Sequence, residues 1–456
     1  MYLPRKIDSY LQEWKNDPHH KPLLVRGARQ VGKSRAVRHL GESFPYFIEV
    51  NFEKRQNLKT LFEETPDVKD LSQKLGILFK QPVIPGKTLL FLDEIQSCAA
   101  AIKSLWFFKE DFPDLHVVAA GSLLEFALKD ISSFGVGRVR SIFMYPLSFD
   151  EFLIAQGRED WVKAKKDASP KHPLFSALHT ELVQQYRIFL MVGGMPASVL
   201  KWIETHDYQK CIYEQNDIQQ TYYDDFAKYG SRINTQLLRN TLQSVITQIG
   251  SKFVYTRVEG EYRSAEVKNA LELLCNAGIV KQVSHTSANG LPLGAQGNSN
   301  FQKYIYLDSG LLLRVLDMEF GGVKNLPEKI LAGTTDDLVN NGGVAEMEVG
   351  LEMLKYSTPL LSPDLYYWEN TDRGTSSEVD YVTSRNMNIL PIEVKSGVSG
   401  KMKSLRFFLQ KKGLSEAIRC SLENFAELTY SNGDDSVLTI GIYPLYAVSS
   451  FIHTSL

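Results

Sequence analysis

The run Gly27-Ala28-Arg29-Gln30-Val31-Gly32-Lys33-Ser34 fits the pattern G-x-x-x-x-G-K-[ST]. Its spacing has a chemical reason. The two glycines let the backbone curl until successive N–H groups face phosphate oxygens. A helix starting at the end of the run adds the positive end of its dipole. Lys33 is then placed for the β- and γ-phosphates and Ser34 for Mg2+. A second run, Leu89-Leu90-Phe91-Leu92-Asp93-Glu94, is apolar and ends in two acids. Asp93 suits a water-mediated contact to the same Mg2+, and Glu94 suits the general base that polarises an attacking water. Ser122 could sense a γ-phosphate or be a plain turn serine. Arg138 and Arg140 could reach the γ-phosphate as an arginine finger, in cis or from a neighbouring subunit, or could be solvated charges on a strand edge. Together these residues predict a site for a nucleoside triphosphate with Mg2+, and hydrolysis as its reaction.

A second constellation lies near the C-terminus. Glu378-Val379-Asp380-Tyr381-Val382 and Ile389-Leu390-Pro391-Ile392-Glu393-Val394-Lys395 read as neighbouring strands. Side chains alternate faces along a strand, so Glu378 shares a face with Asp380, and Glu393 with Lys395. If the strands pair, Asp380, Glu393 and Lys395 converge. Two carboxylates can hold one Mg2+, and Lys395 could orient or deprotonate a water. Glu346, on the preceding helix, could add a ligand. The alternative is a core whose charges form a salt-bridged surface that binds DNA or protein.

The elements that must position these groups are legible as patterns. Apolar strands at Pro22–Arg26, Phe47–Phe52, Thr88–Leu92 and His116–Ala120 alternate with helical stretches at Ser34–Ser43 and Asn57–Lys80, which predicts a parallel sheet covered on both faces. A whole strand between the two nucleotide motifs is the arrangement of additional-strand P-loop ATPases. Residues 156–236 read as helical, with Gln156–Pro173 an exposed connection. Residues 237–325 run helix, helix, strand, a long Gly/Asn/Ser-rich loop (Ser284–Asn300) and strand, the order of a winged helix. Its recognition helix starts at Ser264; Arg257, Arg263 and Lys268 could touch DNA, against the acidic neighbours Glu259, Glu261, Glu266 and Glu272. Residues 326–456 run helix, three strands, helix. The expected fold is therefore α/β: a P-loop core over 1–155, a helical and winged-helix middle, and a separate C-terminal α/β domain.

Composition narrows the classes. With 456 residues, 43% hydrophobic and 23% charged, the chain can build several cores. A net charge of -2 gives no global pull toward nucleic acid or anionic lipid, so DNA contact needs a local basic face. Cys98, Cys211, Cys275 and Cys420 form no C-x-x-C pair, which predicts neither a zinc site nor a disulfide framework and fits a reducing cytoplasm. No signal peptide is expected. Ser436–Leu456 is nearly free of charge, but its Gly441 and Pro444 favour two short buried strands over a membrane span.

Arg26–Ser34, Leu92-Asp93-Glu94-Ile95-Gln96, Pro146–Phe152, Gly193-Gly194-Met195-Pro196 and Ile305–Leu311 together resemble a prokaryotic family, the AAA-type (AAA_14) ATPases with a C-terminal domain of unknown function, DUF4143. That resemblance covers nearly the whole chain. It implies an AAA+-like fold and ATP as the nucleotide. The C-terminal acids also resemble the PD-(D/E)-x-K nuclease core, with Val379 at the proline position. Two functions are then open. One is an ATPase acting on or with DNA, carrying a metal-dependent nuclease site. The other is a regulatory switch whose C-terminal domain is catalytically inactive and binds partners. A homo-oligomer fits either.

Overall fold

The computed structural model describes residues 1–121, 137–227, 233–297, 301–319, 341–370, 377–397, 402–431 and 437–452. The chain divides into two units. The first comprises Met1–Pro146, Asn276–Gly278 and Thr358–Ser362; the second comprises Leu147–Cys275, Ile279–Ser357 and Pro363–Leu456.

In the first unit, helix α1 (Lys6–Asn16) precedes β1 (Leu23–Arg26), α2 (Lys33–Gly41), β2 (Tyr46–Asn51), α3 (Asn57–Glu64), α4 (Val68–Phe79), β3 (Thr88–Asp93), α5 (Ala99–Asp111), β4 (His116–Ala120) and β5 (Arg140–Phe143). The strands pair in parallel in the order β2-β3-β4-β1-β5. Strands β3 and β4 are buried at every position, as the wholly apolar runs predict for a sheet covered on both faces. Strand β4 lies between the phosphate-loop strand and the acid-bearing strand, so their C-terminal ends open on one edge of the sheet. The expected single helical stretch Asn57–Lys80 is two helices. Pro66 breaks it: proline has no N–H to give and disfavours helical backbone at Thr65. Asp67 then restarts the chain as an N-cap, accepting from Lys69 N at 2.8 Å and Asp70 N at 2.9 Å. On the outer edge of β5, Phe143 N donates to Pro359 O of a later segment at 2.8 Å.

The second unit begins with α6 (Phe149–Ala155), α7 (Glu159–Asp167), α8 (Ser176–Val192), α9 (Pro196–Thr205), α10 (Tyr208–Phe226), α11 (Thr235–Thr247) and α12 (Ser264–Asn276). Then come β6 (Val280–His285), β7 (Gln302–Tyr306), α13 (Ser309–Glu319), α14 (Asn341–Tyr356), β8 (Leu365–Glu369), β9 (Glu378–Arg385), β10 (Asn388–Val394), α15 (Lys403–Lys412), β11 (Glu416–Ser421), β12 (Ala426–Ser431) and β13 (Val437–Pro444). Their strands form one eight-stranded sheet, β12-β13-β11-β10-β9-β8-β6-β7.

Three expectations are corrected here. The helix–helix–strand–loop–strand order is present, but its hairpin is no free wing. Strand β6 pairs with β8 as well as β7, and Ala288 and Leu293 of the connecting loop sit in the apolar core with Trp368, Val379 and Leu405. Two apolar side chains outweigh the polar composition of that loop. Residues 156–173 are not merely an exposed connection. They contain α7, whose Lys165 is fully buried in an ion pair with Asp150 and donates to Tyr446 O at 3.0 Å. At the C-terminal end, β13 stops at Pro444 and a buried 3-10 turn, Leu445–Ser450, replaces the second expected strand. No described helix is long and apolar enough to cross a membrane.

Candidate functional site

The phosphate loop joins β1 to α2. Gly27 has φ 140° and lies so close to the end of β5 that a Cβ would stand 2.1 Å from Met144 O. No side chain fits there, and the backbone conformation is one L-residues rarely adopt. Gly32 follows with φ 100° as the N-cap of α2, which leaves the first N–H groups of the helix pointing into the loop. Arg5 braces the loop from outside, donating to Val31 O at 2.9 Å and Tyr145 O at 2.6 Å.

Lys33 is buried. Its Nζ donates to Gly27 O at 2.9 Å and Ala28 O at 2.6 Å. Burial pulls its ammonium down to about 8, with Glu94 and Asp93 opposing. A phosphate in the loop would supply the counter-charge that Lys33 meets only in part. Ser34 Oγ donates to Asp93 Oδ1 at 2.8 Å. A hydroxyl and a carboxylate oxygen thus stand side by side at the helix start, a hard-oxygen pair that fits Mg2+. Burial raises the Asp93 carboxyl, opposed by the bond from Ser34.

Two further groups at Asp93 escaped the sequence reading. Asn51 faces Asp93 across the β2–β3 pairing, and its Nδ2 donates to Asp93 Oδ2 at 2.9 Å. Arg38, one turn beyond Ser34, holds Glu49 by two bonds of 2.9 and 2.7 Å, with Nη2 3.7 Å from Asp93 Oδ2. The available signal was the polar Glu49-x-Asn51 face of β2, which the strand order brings beside the acid. Glu94 follows with φ 52° and ψ 44°, a left-handed conformation that costs a non-glycine residue about 1–3 kcal/mol. It turns the chain out of the sheet at the strand end, and Gln96 Nε2 donates to Glu94 Oε2 at 2.6 Å.

The structure does not bring Arg138 to this site in cis. Strand β5 runs parallel to β1, with Arg140 opposite Leu23 and Phe143 opposite Arg26. Arg140, and Arg138 before it, therefore lie at the sheet edge opposite the phosphate loop. Arg138 pairs with Glu110 and covers the Trp106 ring, 4.6 Å from its centroid. Ser122 lies outside the described residues.

In the second unit, β9 and β10 pair antiparallel with Tyr381 opposite Ile392, so Asp380 and Glu393 are neighbours. Asp380 Oδ2 accepts from Val394 N at 2.7 Å. Glu393 Oε1 lies 2.5 Å from Lys395 Nζ, while Glu393 Oε2 is buried without a hydrogen-bond partner. Glu346 does not complete a metal set with them, because its Oε1 accepts from Lys303 Nζ at 2.9 Å. Lys303, on β7, also pairs with Glu378. Among the described residues no group of three or more His, Cys, Asp or Glu side chains could hold a metal ion. A divalent cation therefore does not fit this cluster as it stands. Lys303 was missed because its partners, Glu346 and Glu378, lie 43 and 75 residues away in sequence.

On α12, Val267, Ala270, Leu271 and Leu274 are buried. Arg257, Arg263 and Lys268 are exposed among exposed Glu259, Glu261, Glu266 and Glu272, a surface of mixed sign.

A family comparison agrees with the nucleotide geometry. Residues 19–153 match the family described as an AAA domain, 183–320 a domain of unknown function (DUF8612), and 341–443 a domain of unknown function (DUF4143). A search of curated proteins finds no match. Among solved structures, a Walker-type ATPase of Pyrococcus abyssi is similar at 13% identity and TM-score 0.44, over 69% of this chain and 96% of that one. The Orc1 protein of Aeropyrum pernix, solved with DNA, is similar at 13% identity and TM-score 0.28, over 70% and 94%. A STAND signal-transduction ATPase with a tetratricopeptide repeat sensor from Pyrococcus horikoshii is similar at 11% identity and TM-score 0.26, over 77% and 48%.

Proposed function

We propose that this protein is a magnesium-dependent ATP hydrolase working as a switch, with its second unit as the partner-binding module. The observation that carries the first part is the 2.8 Å bond from Ser34 Oγ to Asp93 Oδ1, set beside a buried Lys33. Backbone N–H groups of Gly27–Lys33 would cradle the phosphates, and Lys33 would turn from the carbonyls of Gly27 and Ala28 to the β- and γ-phosphates. Bound Mg2+, held by Ser34 and approached by Asp93 through water, would neutralise charge on the phosphates. Glu94 would take the proton of the attacking water.

Lys33→Ala is expected to abolish nucleotide binding. Glu94→Gln is expected to keep binding and lower turnover by about 10²–10⁴-fold. Equilibrium binding of a fluorescent ATP analogue and steady-state phosphate release measure the two separately. Wild-type hydrolysis in both variants would sink the assignment.

The regulatory reading of the second unit is supported by its packed hairpin loop and by the lysine inside its carboxylate cluster. A second reading, action with DNA, is favoured by the helix, three strands and helix of α14 to α15, the element order of a nuclease-like core. Duplex DNA added to the ATPase assay separates them. Several-fold stimulation that weakens with salt supports DNA as the partner; an unchanged rate supports a protein partner.

A further inference from the structure

The carboxylates that the sequence pattern offers to a divalent cation already enclose a cation of the chain's own. Lys303 is 1% exposed. Its Nζ is bonded to Glu346 on α14 at 2.9 Å, pairs with Glu378 on β9 and stands 5.1 Å from the Tyr367 ring centroid on β8. Burial alone would lower its ammonium; Glu346, Glu378 and Asp380 reverse that and raise it. A divalent ion needs several oxygens at about 2.0–2.6 Å. Here Glu346 and Glu378 are turned to Nζ, Asp380 Oδ2 is bonded to Val394 N, and Glu393 Oε1 is taken by Lys395. The partnerless Glu393 Oε2 is too little to hold an ion by itself.

We propose that Lys303 is the resident cation of this cluster, an ammonium standing where a nuclease-like core would hold its metal. It ties β7, α14 and β9 together, and the second unit cleaves no phosphodiester by metal chemistry at these residues. The inference is independent of the ATPase reading, because its test involves no nucleotide.

The experiment is a Mn2+ titration of the full chain carrying Asp93→Ala, which removes the carboxylate of the Ser34–Asp93 pair, followed by the electron paramagnetic resonance signal of free Mn2+. No Mn2+ site that Asp380→Ala removes is expected. Combining Lys303→Met with Glu378→Gln removes one charge of each sign, frees Glu346 and takes away the ammonium whose charge acts on Asp380. That variant is expected to gain one Mn2+ per chain, lost again when Asp380→Asn is added. A site in the Lys303-bearing protein that Asp380→Ala abolishes would overturn the proposal, as would a folded double variant that gains none. If circular dichroism shows the double variant unfolded, the Lys303-bearing titration decides alone: a site overturns the proposal, and its absence upholds it.

Discussion

Asp93 is held from three directions: by Ser34 at 2.8 Å, by Asn51 at 2.9 Å and at longer range by Arg38 at 3.7 Å. Groups that orient a metal-facing carboxylate typically contribute 10–100-fold in metal affinity. Asn51→Ala should therefore raise the Mg2+ concentration for half-maximal ATP hydrolysis by about tenfold or more, with nucleotide-analogue affinity in EDTA unchanged. An unmoved Mg2+ dependence would mean that Ser34 alone orients the acid. Ser34, Asp93 and Glu94 were legible because their spacing is local to a loop and a strand end. Asn51 was not, since its role exists only once β2 lies beside β3. Of the alternatives for Arg138, the one in cis fails for a related reason: nearness in sequence to β4 says nothing of the end of the sheet from which β5 starts.

At the scale of elements, the remaining motifs of the family resemblance are joints. Asp308 is buried, accepts from Gly194 N at 2.6 Å and Leu311 N at 3.0 Å, and so ties the α8–α9 turn to the start of α13. Ser148 and Glu151 form a capping box on α6, and Phe149 N reaches Glu352 Oε2 at 3.2 Å. Removing one acceptor that serves two buried N–H groups costs about 2–4 kcal/mol. Asp308→Ala should lower unfolding free energy by about that amount, read from the urea midpoint at unchanged slope. A loss below about 0.5 kcal/mol would show the joint to be dispensable. Most helices and strands were legible from periodicity and apolar runs. The helix break at Pro66 was readable and overlooked, whereas the burial of Ala288 and Leu293 depends on which sheet the hairpin joins, and no local pattern states that.

For the molecule as a whole, one acid-side contribution to stability comes from a buried histidine of the first unit. His116 Nε2 donates to Lys15 O at 3.0 Å, its ring stacks on His20 at 3.9 Å, and Trp14 and Phe44 close the site edge-on. Burial and the neighbouring His20 depress it to about 4. Because the folded pKa lies below the unfolded one, the contribution of His116 to stability is intact above about 6.5 and is lost as pH falls toward 4, by about 1.4 kcal/mol per unit. His116→Gln should remove that acid-side slope from thermal melts; an unchanged slope would assign it to other groups. The path of the chain has a consequence for its synthesis. The first unit includes Thr358–Ser362, whose Pro359 O takes the outward N–H of Phe143 on the edge of β5. Between Pro146 and Ser362 the ribosome must add 362 − 146 = 216 residues. At 5–20 residues per second that is roughly 10–40 s. For that interval a nascent nucleotide-binding sheet carries an unpaired strand edge, the feature most prone to pairing with another chain, so chaperone dependence during translation should centre on β5.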